Sequence, residues 1–153
     1  MSTTMDKTLQ QAFEKIDFVE RYKQLSGEYA VDGAGMKNYS NEKVLGMIRG
    51  LGHEAKYMKG ENFFMIKEKQ GDYQIQFNVS CKHGAVELIF DFLRNDKRIE
   101  PSGIWDEITE MLTGDAEPIK LPAFRSYDEL QDLLAKVFRI YEELKTELMN
   151  TDS

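Results

Sequence analysis

The sequence predicts a single α+β domain over residues 1–153, with N-terminal helices, a three- to four-stranded antiparallel β-meander and C-terminal helices packed on one sheet face. Apolar and polar residues alternate from Tyr73 to Phe92 around a short turn, which is typical of a hairpin with one buried face. The short connections favour antiparallel pairing, because parallel strands need long crossovers. Apolar residues at three- and four-residue steps on both sides of this region indicate amphipathic helices.

The N-terminal part is predicted to hold two helices and a loop. One continuous apolar stripe indicates a helix over residues 6–26, and Gly27 is a suitable residue to follow its last turn. Residues 27–39 show no periodicity and centre on Gly33-Ala34-Gly35, which predicts a flexible loop. The second helix begins after Ser40, a favourable N-cap.

The central part is predicted to form the sheet. Two strands, 73–81 and 86–92, are the clearest, residues 62–69 supply a third, and residues 53–59 are a candidate fourth. After the last strand the sequence becomes polar, which indicates a turn that leads into a helix beginning near Ser102.

The C-terminal helices have distinct boundary signals. Gly114 is expected to end the first of them, and residues 118–124 form an extended connector or an edge strand. Ser126 and Glu129 match a capping box at the start of the last helix. Its apolar stripe is wide enough to pack on the sheet without a partner helix, and residues 150–153 are expected to form a frayed tail.

The net charge of −7 is unevenly placed. The first 100 residues carry equal numbers of acidic and basic side chains, so residues 101–153 supply the whole excess. This balance argues against nucleic acid and against an anionic membrane as partner, because both require a basic surface. It favours a basic protein partner, and a homodimer is also compatible. The carboxylates predicted to bind the partner lie on the two C-terminal helices: Asp106, Glu107, Glu110, Glu142, Glu143 and Glu147.

No pattern of residues indicates catalysis, a metal site or a cofactor. Cys81 and His83 lack the spacing of a zinc site, and parity places the cysteine in the core and the histidine in a turn. Gly33-Ala34-Gly35 lacks the Lys-Ser/Thr of a phosphate-binding loop. Glu87 and Asp91 share one strand face, which we expect to be open and wet.

Two classes of function remain after these exclusions. The first is a non-catalytic protein-binding domain, comparable in size and acidity to an immunity protein that neutralises a basic toxin or to a small secretion chaperone. The alternative is a small ligand-binding or hydrolytic enzyme with a pocket between sheet and helices, for which Glu87, Asp91 and His53 are the candidate residues. The N-terminus lacks the features of a secretory signal, and a single cysteine permits no internal disulfide, so a cytoplasmic location is expected.

Overall fold

The computed structural model describes residues 5–30 and 35–151 and confirms the α+β class. Helices from both ends of the chain cover one face of an antiparallel sheet. In chain order, the described elements are α1 (Lys7–Lys15), α2 (Phe18–Glu28), α3 (Asn41–Gly50), β1 (Ala55–Met58), β2 (Phe63–Gln70), β3 (Tyr73–Lys82), β4 (Ala85–Arg94), β5 (Lys97–Ile104), α4 (Trp105–Thr113) and α5 (Tyr127–Thr151).

The sheet is a meander in the order β1-β2-β3-β4-β5, so it has five strands rather than three or four. Lys82 pairs with Ala85 across a two-residue turn in which His83 and Gly84 both have positive φ, as a type I′ turn requires. Arg94 pairs with Lys97 across Asn95-Asp96 in the same way. The predicted turn after β4 is therefore present, but it leads into a strand.

β5 is the strand that the sequence analysis missed. Because this strand continues to Ile104, the next helix begins at Trp105 rather than near Ser102. Its sequence carries Pro101 and Gly103, which are rare inside strands, and it shows little alternation. The Ser102 hydroxyl accepts a hydrogen bond from Phe92 N and donates one to Ile99 O, at 3.0 and 2.7 Å. These bonds stabilise the irregular register between β4 and β5.

The predicted first helix is two helices, and Gly27 lies inside the second rather than after the first. Asp17 separates them with a left-handed φ of 58°. The break lets Phe13 of α1 and Phe18 of α2 meet edge to face at 4.8 Å, and both rings are buried. The step from Ile16 to Phe18 departs from helical spacing, so the sequence contained a signal for this break.

The core lies between the helices and one face of the sheet. At its centre is Trp105, whose ring lies 5.0–5.8 Å from those of Phe18, Tyr22, Phe77 and Phe90. The stripe of α5 is buried as predicted, so this helix presents no continuous apolar face to a partner. Its members are Leu130, Leu133, Leu134, Val137, Phe138, Tyr141, Leu144 and Leu148.

The segment around Gly35 packs against the β3–β4 turn. A Cβ on Gly35 would lie 2.9 Å from the Cα of Gly84, and Met36 N donates to Phe124 O at 2.8 Å. The described part of the predicted flexible loop is therefore held in place, whereas residues 31–34 lie outside the described residues. The 118–124 connector forms only an isolated bridge, between Ala85 and Ala123, and not an edge strand.

The capping box of α5 is present with one difference. Ser126 Oγ accepts from Glu129 N at 3.1 Å as predicted, but the Glu129 carboxylate binds Arg125 N at 2.7 Å, one residue before the cap. The helix continues through Thr151, so the predicted frayed tail is helical at its first two residues, and residues 152–153 lie outside the described part of the chain.

Candidate functional site

Three of the predicted carboxylates lie on α4 and remain available to a partner. Asp106 is half-buried, and Glu107 and Glu110 are exposed. Asp106 and Glu107 lie in the first turn, whose N-cap residue Ile104 supplies no side-chain acceptor, so their negative charge also stabilises the helix N-terminus. None of the three has an ion-pair partner among the described residues.

The surface beside these carboxylates is concave. Two adjoining hollows of about 540 and 570 Å³ share Glu107 and Met111, and Glu110 lines the second. The half-buried Met111 side chain gives them an apolar patch beside two exposed carboxylates. Asp106 lies on the same helix but lines neither hollow, and Arg98 lines the first. We call the hollows with Glu107, Glu110 and Met111, together with the neighbouring Asp106, the acidic groove. A lysine or arginine side chain fits such a surface, because its aliphatic stem packs on apolar atoms while its charge meets a carboxylate.

The three predicted carboxylates on α5 have basic neighbours within the chain. Arg21 holds Glu143 through two hydrogen bonds of 3.0 and 2.9 Å. Lys145 Nζ lies 2.9 Å from Glu142 Oε1, and Lys15 Nζ lies 3.8 Å from Glu147 Oε2. These internal cations offset the carboxylate charge, so this half of the predicted surface presents a weaker field to a partner.

His53 lies in a network of charged side chains between the sheet and α5. The ring is 7% exposed, its Nδ1 lies 3.9 Å from Glu68 Oε1, and its Nε2 lies 3.4 Å from Glu142 Oε1. Lys145 Nζ bridges both carboxylates at 2.9 Å. The Tyr141 hydroxyl donates to Glu68 Oε1 at 2.9 Å, so the carboxylate of Glu68 has three polar neighbours.

Burial and charge shift the protonation equilibria of this network. Burial lowers the pKa of His53 below 6.5, and the opposing effect of Glu142 does not restore it. Burial alone would raise the pKa of Glu68, but the hydrogen bonds from Lys145 and Tyr141 outweigh it and keep the pKa low. Burial would lower the pKa of Lys145, but its two carboxylate partners raise it. The network therefore favours a neutral imidazole beside an ionised Glu68–Lys145 pair.

The structure does not bring the three pocket candidates together. His53 lines a hollow of about 590 Å³ with Arg49, Lys56 and Lys67. Asp91 lines a second hollow of about 220 Å³, which shares Lys67 with the first but includes neither His53 nor Glu87. The side chains of Glu87 and Asp91 are both half-buried, and α4 contacts the strand that carries them.

The remaining reactive group is Cys81, which points into the core. Its side chain is 2% exposed, and burial raises the pKa of the thiol to about 12. The thiol is therefore protonated and shielded at neutral pH, which opposes nucleophilic chemistry. Within residues 5–30 and 35–151, no group of three or more His, Cys, Asp or Glu side chains could hold a metal ion.

Comparisons with protein-family models, with curated proteins and with solved structures give no match. No described helix combines the length and the apolar character that crossing a membrane requires.

Sequence reasoning missed two components of these sites. Met111 is a half-buried residue of α4, and its spacing in the sequence gives no indication that it borders a hollow. Glu68 was a polar residue on a predicted strand, and its pairing with Lys145 depends on the placement of α5 over β2. A side-chain network of this kind joins elements that are distant in the chain, so local periodicity carries no signal for it.

Proposed function

We propose that this protein is a non-catalytic protein-binding domain that captures a basic partner through the acidic groove of α4. The observation that carries the proposal is that Asp106, Glu107 and Glu110 have no ion-pair partner among the described residues, and that Glu107 and Glu110 line the hollows around Met111. Arg98 also lines the first hollow, but its ion-pair partners are Asp91 and Glu100. Uncompensated charge projects a field that steers and orients a basic partner.

The sequence of this region supports the same proposal. From Trp105 to Ile119 the chain carries five acidic side chains and no basic one, and Asp115 and Glu117 continue the acidic surface past the end of α4. Both of these residues are exposed. An immunity-type role, in which the groove receives lysine or arginine side chains of a basic toxin domain, fits this arrangement.

The ligand-binding or hydrolytic alternative has less support. It requires convergent polar groups at one cleft, whereas His53 lies apart from Glu87 and Asp91. The two ring nitrogens of His53 also face carboxylates of the same chain.

Neutralisation of the acidic groove tests the proposal. In a cross-linking pull-down from a native cell extract, the variant Asp106→Asn/Glu107→Gln/Glu110→Gln is expected to lose basic proteins that the wild type captures. The loss is at least about tenfold, because each uncompensated charge at an interface affects binding by about 1 kcal/mol or more. High salt is expected to release the captured protein from the wild type.

A matched control distinguishes an effect of the acidic groove on capture from an effect of the total charge. The variant Glu14→Gln/Glu20→Gln/Glu61→Gln removes three exposed carboxylates from other elements, so it changes the net charge equally. We expect it to retain capture. Circular dichroism verifies the fold of both variants, because the α4 changes also remove charge that stabilises a helix N-terminus. Equal capture by the groove variant and the wild type would contradict the proposal.

A further inference from the structure

One face of the sheet is not covered by any described element. Helices α1, α4 and α5 pack on the face that carries Phe77 and Phe90, as their ring contacts show. The opposite side, which we call the open face, carries Gln76 and Asp91 and shows half-buried residues along its central strands. A sheet of five strands of up to ten residues presents about 700 Å² on one face, close to the roughly 800 Å² that each partner buries in a standard interface.

The register arranges the residues of this face in rows across the strands. One row begins at the exposed Lys56 on β1, and its apolar members are Met65, Ile89 and Ile104, with Asn78 between them. These apolar side chains are half-buried, so part of each is in contact with solvent.

The next row, two residues along, contains Lys67, Gln76 and Asp91. The backbones of Lys67 and Asp91 lie two strands apart, roughly 10 Å, and the ion-pair partner of Asp91 among the described residues is Arg98 rather than Lys67. Lys67 is exposed, and the Asp91 side chain is 49% exposed although Arg98 Nε lies 3.5 Å from its carboxylate. The row therefore has a lysine at one end, an amide in the middle and, at the other end, an aspartate that is paired with Arg98.

This row is complementary to a second copy of itself in one orientation. A two-fold axis that runs along β3, between two facing sheets, places β2 of one copy over β4 of the other. Lys67 then faces Asp91 of the second copy on both sides of the axis, and Met65 faces Ile89. A two-fold axis across the strands would instead place Lys67 against Lys67 and Asp91 against Asp91, which is repulsive.

From this complementarity we infer that the open face is the interface of a homodimer with its two-fold axis along β3. A two-fold interface uses the same patch on both subunits, so self-complementary rows are its requirement. Two twisted sheets pack face to face at about 30°, which a small tilt of the axis from the strand direction provides. The carboxylates of the acidic groove lie on α4 and outside the rows of the interface, although its first hollow shares Arg98 with the hollow of Asp91.

Charge reversal tests the inference in the full-length chain by sedimentation over a wide range of concentration. The wild type is expected to form dimers. Lys67→Glu and Asp91→Lys are each expected to weaken self-association by about tenfold or more, because each places like charges together twice. An equal mixture of the two variants is expected to dimerise again. In the mixed dimer the glutamate introduced at position 67 faces the lysine introduced at position 91, and the unchanged Lys67 and Asp91 still face each other.

Charge-matched changes on the helical side, Lys23→Glu and Glu14→Lys, are expected to leave the dimer intact because both residues are exposed, on α2 and α1 respectively. Thermal melting verifies that each variant folds. A wild type that stays monomeric at every concentration would overturn the inference. Failure of the two variants to associate in the mixture would overturn the proposed axis, and both results are independent of capture by the acidic groove.

Discussion

His53 is a buried titratable residue in contact with the core. Its ring packs 4.5 Å from that of Phe138, and Glu68, Glu142 and Lys145 are the charged groups that face it. Because burial lowers the pKa of His53, the folded chain binds a proton less readily than the unfolded chain. The stability from the neutral ring is therefore complete above pH 6.5 and is lost as the pH falls below 6.5.

The corresponding prediction concerns the pH dependence of unfolding. The free energy of unfolding of the wild type is expected to fall between about pH 7.5 and pH 5.5, and the fall should be smaller in His53→Phe, which cannot be protonated. Urea unfolding at both pH values measures it. Glu68 does not complicate this window, because its lowered pKa places its own loss of stability below pH 4.5.

His83→Asn is the matched control for this experiment. His83 is exposed in the β3–β4 turn with φ 56°, a conformation that asparagine adopts readily. The control is expected to keep the wild-type pH dependence. A pH dependence that is identical in His53→Phe and the wild type would show that another group is responsible.

Alternation along a strand predicts which side chains are buried. It does not predict contacts with elements that are distant in the chain. The alternation along β3 correctly placed Cys81 in the core, and the turn pattern placed His83 in solvent. The sequence could not indicate that α5 brings Glu142 and Lys145 to His53, because about 90 residues separate them. The charges in the network are therefore a result of tertiary packing.

At the level of elements, boundaries marked by side-chain caps were predicted most accurately. Ser40 accepts from Lys43 N at 3.3 Å at the start of α3, and Ser126 has the same role in α5. The break at Asp17 and the strand β5 were missed, because each depends on packing that overrides weak local preference. Phe13 and Phe18 both enter the core only when the helix is interrupted.

The cap of α5 gives a prediction at this scale. Ser126→Ala removes the acceptor for Glu129 N at an exposed position, so we expect a loss of about 1 kcal/mol in the free energy of unfolding. Chemical denaturation measures the change. Thr146→Ala, which removes an exposed hydroxyl within the same helix, is expected to be neutral or slightly stabilising because alanine favours helix. Equal effects of the two changes would argue against a capping role.

At the level of the whole molecule, the β3–β4 turn contacts two distant segments of the chain: the segment that precedes α3 and the segment that precedes α5. Gly84 O accepts from Phe124 N at 2.8 Å, and Val86 N donates to Pro122 O at 2.8 Å. The Gly35 backbone packs on the same turn at a distance that excludes a side chain. One segment about 50 residues before Gly84 and another about 40 residues after it therefore meet at this glycine.

Gly84→Ala is predicted to destabilise the fold by about 2 kcal/mol or more. Its Cβ would lie 2.5 Å from the Cα of Gly35 and from Met36 N, and its φ of 81° is unfavourable for alanine. Thermal and urea unfolding measure the effect. Gly46→Ala, at an exposed position inside α3 with open space around it, is expected to stabilise by about 1 kcal/mol. A neutral Gly84→Ala would mean that the two segments can separate without cost.

The charge distribution of the whole molecule was only partly predictable. The sequence indicated that the C-terminal third holds the acidic excess, and α4 carries the carboxylates without internal partners. It could not indicate that Arg21 and Lys15, from the N-terminal helices, compensate carboxylates of α5. The distinction between available and compensated charge follows from the packing of α1 and α2 against α5 and α4.

The two outer strands of the sheet have a consequence for the behaviour of the protein at high concentration. β1 has only four residues, and Arg49 Nη2 donates to Ala55 O at 3.0 Å. On β5, Asp6 N donates to Glu100 O at 2.8 Å, and Pro101 lacks a backbone donor. An unpaired strand edge is a template for the addition of strands from other molecules, which leads to fibrils. Both edges here offer few free backbone groups, so the folded chain is protected against edge-to-edge polymerisation.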